Sequence, residues 1–167
     1  FVNENGQGNY HIEILLWAAN IFSKSGANCI FALKDRDQKV LEVIRSGYQV
    51  FQCPRLYMPP KGFASFSDTL ADMGATSSEG LKYLLDEWEF QLRHRKIDLI
   101  VSNFAPVVLQ VARNRIPTVN LATPWETPNS QLSEMPLYTG QKKLVSDEKI
   151  LDHLEKAGLK KVPNSLV

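Results

Sequence analysis

The chain reads as an α/β protein of the Rossmann-like three-layer kind, built on a mostly parallel sheet. Three observations lead there. Short apolar runs alternate through most of the 167 residues with stretches whose apolar residues recur at helical spacing. The run 28–33 (NCIFAL) is continuously apolar, the pattern of a strand buried on both faces. Glycines follow the first two helical stretches, at Gly26 and Gly47, where a helix end favours a residue free to take positive φ.

The elements follow in order. Phe1 to Glu4 is the end of a first strand, short for a buried strand, and the glycine-bearing turn Asn5-Gly6-Gln7-Gly8-Asn9-Tyr10 delivers His11 to the start of a helix. That helix, His11 to Ser25, carries Ile12, Leu15, Leu16, Ala19 and Phe22 at helical spacing, with Trp17 on or near the apolar stripe and read as core. Strand 28–33 comes next, then a helix over 35–46 and a third strand over 48–53 (YQVFQC). Pro54, Pro59, Pro60 and Gly62 impose a loop. A short helix over 66–73 has Ser67 as N-cap, and a long one over 77–95 shows the stripe Leu81, Leu84, Leu85, Trp88 and Leu92. The fourth strand is 97–102 (IDLIVS), a helix spans 104–113, and the fifth strand is 117–121 (PTVNL). A long Pro-rich loop over 122–143 precedes a last helix over 147–157.

Parallel neighbours need crossover connections, so five strands separated by helices give a sheet of order 3-2-1-4-5 as the simplest arrangement. Its switch point lies between the first and fourth strands. The ligand crevice is therefore expected over Asn5 to His11 and Asn103 to Pro106.

Composition narrows the function classes. The 19 basic and 18 acidic residues leave a net charge of +1, so neither nucleic-acid binding nor an acidic-substrate field follows from charge, and no nucleic-acid partner is expected. The basic cluster Arg93-His94-Arg95-Lys96 reads as a solvated helix end, with His153 on the last helix solvated too. Cys29 and Cys53 fall in apolar strands and act as small hydrophobes; the sheet order makes the strands neighbours, so a disulfide stays geometrically open. No integral membrane segment and no leader is read from the sequence, and a cytoplasmic location is expected. No His, Cys or carboxylate set has metal-ligand spacing, so neither a metal nor a cofactor is expected. The turn pattern G-x-G-x-x-H lacks the third glycine of a dinucleotide site, with Asp35 the one candidate for its acidic partner.

The order of these pieces resembles the N-terminal, acceptor-binding domain of bacterial glycosyltransferases of the GT-B fold, in the group containing the family-one UDP-glycosyltransferases. The resemblance rests on Gly6-Gln7-Gly8-Asn9-Tyr10-His11, Ser25-Gly26, Phe31 to Asp35, Phe66-Ser67-Asp68-Thr69-Leu70 with Gly74, Ile97 to Val101, Ala105-Pro106, Ala112-Arg113, Ile116-Pro117 and the Pro-rich loop. It implies that this domain binds an acceptor, a small molecule or lipid, while a separate C-terminal domain binds the nucleotide-sugar. It further implies His11 as the general base that deprotonates an acceptor hydroxyl, held by a residue after the fourth strand. At that position, where many relatives carry an acid, stands Asn103, and Tyr10 replaces the glycine that commonly precedes the histidine. An amide orients an imidazole but adds no charge to it.

Each candidate has a plainer alternative. His11 could be a turn histidine bonded to backbone, and Gly6 and Gly8 could serve only to permit positive φ, with Gly8 otherwise beside the acceptor. Trp125, beyond the fifth strand, stacks on an acceptor or packs the Pro-rich loop; Phe63 and Phe66 form a second acceptor wall or, as the favoured alternative, core. Nothing after Val145 reads as a donor domain, so residues 1–167 are expected to form one domain cut at both ends, or one subunit of a split enzyme. Alone it is expected to be inactive and prone to oligomerise. The competing classes are a non-catalytic Rossmann-like module and a nucleotide-binding domain of another enzyme class.

Overall fold

A computed structural model describes residues 1–5, 9–34, 38–56, 64–123, 137, 144 and 146–157. Among the sequence-derived candidates, Gly8, Phe63 and Trp125 lie outside the described residues, as does most of the Pro-rich loop. The chain divides into two units, one of Phe1–Cys53, Ile97–Ala105 and Ala112–Ala122, the other of Pro54–Lys96, Pro106–Val111 and Thr123–Val167.

The first unit holds the sheet. Its strands are β1 (Val2–Asn3), β2 (Ile30–Leu33), β3 (Gln49–Gln52), β4 (Ile100–Ser102) and β5 (Thr118–Asn120), all parallel in the order β3-β2-β1-β4-β5. This is the order expected from the sequence. The register puts Val2 opposite both Ala32 and Ser102, so β1, short as it is, sits between β2 and β4. Its pairing is extended by Phe1, whose amino group donates to the Ile30 carbonyl at 2.8 Å. Burial in the sheet pushes that ammonium down to about 6, because the charged form loses its water; the sulfurs of Cys29 and Cys53 pull weakly the other way.

Helices α1 (Asn9–Lys24) and α2 (Gln38–Arg45) belong to the same unit. Ile12, Leu15 and Ala19 of α1 are buried with Phe31, Leu33, Val43 and Val101 in one core. Gly26 and Gly47 follow the two helices at φ 88° and 87°, the left-handed conformation that ends a helix cheaply only for glycine. Cys29 and Cys53 are both buried, and no disulfide joins them.

Trp17 corrects the sequence expectation. It is 63% exposed, and with Tyr10 and Ile21, also exposed, it forms a second apolar stripe on the outer face of α1. Residues 10, 14, 17 and 21 share one helical face, as 12, 15, 19 and 22 share another, so two apolar stripes overlap in one sequence window and periodicity does not say which is inward.

The second unit is helical. α3 (Phe66–Leu70) runs into a wide turn at Ala71–Ala75, where Gly74 takes φ 108°. A Cβ on Gly74 would lie 2.8 Å from Leu56 Cδ1, so both conformation and space call for glycine. The N-cap of α3 is Ser65, accepting from the Asp68 amide, and not Ser67, whose hydroxyl donates instead to the Asp147 carboxylate. α4 (Ser78–His94) is capped by Ser77 and buries Leu81, Leu84, Trp88 and Leu92, as its spacing predicts. α5 spans Pro106–Ala112, with proline at its first turn where no amide donor is needed, and α6 spans Asp147–Lys156 behind the cap Ser146. His94 is exposed as expected, whereas both ring nitrogens of His153 are buried with no hydrogen bond among the described residues, which corrects its reading as solvated.

Candidate functional site

The sheet's carboxyl edge between β1 and β4 is where an open parallel sheet leaves room for a ligand, because the chain departs in opposite directions on either side of the switch point. Polar residues gather there. Asn3, Glu4 and Asn5 continue β1, and Ser102 and Asn103 end β4; all five are buried. The Asn103 amide donates to the Val2 carbonyl at 2.9 Å, which carries the β1–β4 pairing one residue past Ser102.

Phe104, next in sequence, stands at φ 51°, a conformation that non-glycine residues adopt at a cost. The gain is local: its carbonyl turns to accept from both the Glu4 and Asn5 amides at 3.3 Å. The turn after β4 is thereby tied to the end of β1.

That side chain meets His11. Asn103 Oδ1 accepts from His11 Nδ1, and Asn103 Nδ2 donates to the Leu121 carbonyl just past β5. These two bonds determine the imidazole's tautomer. A carbonyl oxygen only accepts, so the Asn103 atom facing Leu121 must be the amide nitrogen; the atom facing His11 is then the oxygen, also only an acceptor. His11 Nδ1 must carry the proton, and the lone pair of the neutral ring sits on Nε2. His11 is half-buried in the first turn of α1, where helix amides have no acceptor within the helix, with the Tyr10 ring at 5.7 Å and the Phe104 ring at 6.5 Å.

The structure thus brings together two of the sequence-predicted residues, His11 and Asn103, and realises the orienting contact in the amide's favour. Phe66 is fully buried on α3, in the other unit. Asp98 is exposed ahead of β4, away from the carboxyl edge.

Three participants were missed by the sequence reading. Glu4 places a carboxylate, 4% exposed, at the carboxyl end of β1. Lys34, just past β2, donates from Nζ to Asn5 Oδ1 at 3.0 Å. Both were legible in principle as charged residues ending apolar strands. The third, the Leu121 carbonyl, is backbone and carries no sequence signal at all. Among the described residues no group of three His, Cys, Asp or Glu side chains could hold a metal ion, and no helix is long and apolar enough to cross a membrane.

An imidazole with a fixed tautomer, on the edge where ligands bind and with its basic nitrogen opposite a buried clamp, can accept a proton from a bound hydroxyl. No model of a known protein family, no curated protein and no solved structure matches the chain.

Proposed function

We propose that this chain is the acceptor-binding half of a GT-B glycosyltransferase, which moves a sugar from a nucleotide-sugar to an acceptor hydroxyl. The observation that carries the reading is the run Leu121 carbonyl, Asn103 amide, His11 imidazole at the β1/β4 edge. It supports a general base because it leaves Nε2 as the accepting nitrogen, and an alcohol is a poor nucleophile at neutral pH until its proton has somewhere to go. Gly8, Phe63 and Trp125 contribute acceptor contacts in this reading. The nucleotide-sugar comes from a donor-binding domain or a partner chain, in the cytoplasm where such donors are made. The reaction as read needs no metal and no cofactor.

The test joins this sequence to a donor-binding half, by fusion or co-expression, and measures sugar transfer from UDP-sugars to a panel of acceptors. His11→Ala should lower the rate by about 100-fold to 10,000-fold with the donor KM unchanged. Equal activity of the two proteins would refute the base assignment.

One observation favours a second reading, a non-catalytic Rossmann-like module that pairs with another chain. Tyr10, Trp17 and Ile21 expose an apolar stripe along α1, the kind of surface that marks interaction sites. Transfer activity that depends on His11 would decide against it.

A further inference from the structure

We propose that the outer face of α1 pairs with the same face of a second copy of this chain, the two helices running antiparallel about a twofold axis beside Trp17. The inference needs neither the base assignment nor the glycosyl-transfer reading, and a homodimer leaves both untouched. It starts from what α1 leaves in water. Tyr10, Glu13, Trp17, Asn20, Ile21 and Lys24 are all exposed. At 100° per residue they fall within an arc of about 100°, on the side of the helix away from the buried Ile12, Leu15 and Ala19.

The order of charges along this face selects the occupant. Glu13 stands near the helix N-terminus and Lys24 is its last residue, with Trp17 between them. Glu13 meets Lys39 of α2 at 3.1 Å through one oxygen, yet its side chain stays 56% exposed. Lys24 has no ion-pair or hydrogen-bond partner among the described residues.

In an antiparallel pair centred on Trp17, residues equally far before and after it lie level with each other. The two Trp17 rings then meet on the axis, Ile21 lies level with the partner's Glu13, and Lys24 with the partner's Tyr10. Helical side chains lean toward their own N-terminus, so Lys24 reaches back from the level of the partner's Tyr10 toward that of the partner's Glu13. That is three residues, or about 4.5 Å, along the axis, a span a lysine side chain covers. The twofold makes the same pairing a second time. A parallel pair would set Lys24 on Lys24 and Glu13 on Glu13, and like charges so placed repel. The stripe therefore complements itself in one direction only. A lipid surface suits it less, because helices that lie on membranes carry lysines and arginines along the polar face, and this face has one carboxylate and one ammonium.

The contact is small. The 16 residues of α1 rise about 24 Å, and a single helix pair buries less than the roughly 1,200 Å² of a standard interface, so a dissociation constant of about 10–500 μM is expected.

Sedimentation equilibrium of the full 167-residue chain up to about 1 mM tests this, and a reversible monomer–dimer equilibrium is the expected result. Trp17→Ala takes the central contact from both copies and should weaken the dimer by at least about 30-fold, with an unchanged circular dichroism spectrum because the side chain is exposed. Charge reversal reads the direction of pairing. Glu13→Lys alone and Lys24→Glu alone each set like charges across the axis twice and should weaken the dimer by about 10-fold. An equimolar mixture of these two variants forms opposite-charge pairs on both sides of a heterodimer and should recover the wild-type constant to within about 3-fold. A chain that is monomeric at about 1 mM overturns the proposal, as does a dimer indifferent to Trp17→Ala or a mixture that pairs no better than either charge variant. Should Trp17→Ala unfold the chain, the charge variants decide. A monomer that binds phosphatidylserine vesicles, and loses that binding in Trp17→Ala, assigns the stripe to a lipid surface and overturns the proposal as well.

Discussion

Two regions of the molecule bury polar side chains, and they do so to different ends. At the start of α3, Ser65, Ser67, Asp68 and Thr69 are all buried. Asp68 accepts from the Ser65 hydroxyl and the Leu144 amide, both at 3.0 Å, and Thr69 donates back to the Ser65 carbonyl at 3.4 Å. Every one of these bonds closes on a cap or a neighbouring loop. At the β1/β4 edge, Asn103 is equally buried, but the bonds that hold it lead outward to a half-buried, titratable ring. The first region uses polarity to tie chain ends; the second uses it to aim one nitrogen. Burial of polar groups alone does not identify a site, and the terminus of the hydrogen-bond run is what separates the two.

The largest effect expected is in the α3 cluster. Asp68→Ala would leave the buried Ser65 hydroxyl without its acceptor and take a charged acceptor from the amide of the exposed Leu144, at about 2–4 kcal/mol in all. Urea unfolding measures it, and a loss under about 0.5 kcal/mol would show that the cluster does not hold its loop. Next in size is a pH effect confined to the sheet. In the chain carrying a free amine at Phe1, the ammonium falls from 8.0 to about 6 on folding, so the fold disfavours the charged form. The stability is complete above about pH 8 and is lost as the pH drops toward 6, by about 2.7 kcal/mol for two units. N-terminal acetylation should abolish that dependence, and a free amine that shows none would put Phe1 outside the sheet.

Most of the fold was legible because its signals are local. Continuous apolar runs, glycines after helices and crossover logic led to the strand order without any long-range information, and the observed β3-β2-β1-β4-β5 sheet agrees. What sequence did not resolve was direction. Trp17 and Trp88 both lie at helical spacing among apolar residues, yet Trp88 is 1% exposed and Trp17 63%, because α1 carries apolar residues on two faces. Ser65 and Ser67 both precede or open a helix, and the one that caps is decided by a backbone turn, not by residue type. The pairing of His11 with Asn103 was legible from topology, since Asn103 follows β4 and His11 opens the helix that follows the adjacent β1. The orientation of the Asn103 amide was not, because it depends on a main-chain carbonyl contributed by residue 121.

The smaller effects separate holding from aiming. Asn103→Leu fills similar space but leaves the Leu121 carbonyl and His11 Nδ1 without their partner, so a stability loss of about 1–3 kcal/mol is expected in urea unfolding. It should also release the tautomer, visible as a mixed Nδ1–H and Nε2–H ring spectrum; a single Nδ1–H form in the variant would mean that something other than Asn103 sets it. His11→Ala is expected to change stability least, by about 1 kcal/mol, because it takes the donor from Asn103 Oδ1 but the ring is half-buried and water can enter the vacated place to donate instead. The same substitution is the one expected to abolish turnover in the assembled transferase. A polar group kept for stability loses both when deleted, whereas a group kept for chemistry loses only the second. If His11→Ala instead destabilised the chain as much as Asp68→Ala, the β1/β4 edge would be a second structural knot like that at α3, and the case for a base at that edge would fall with it.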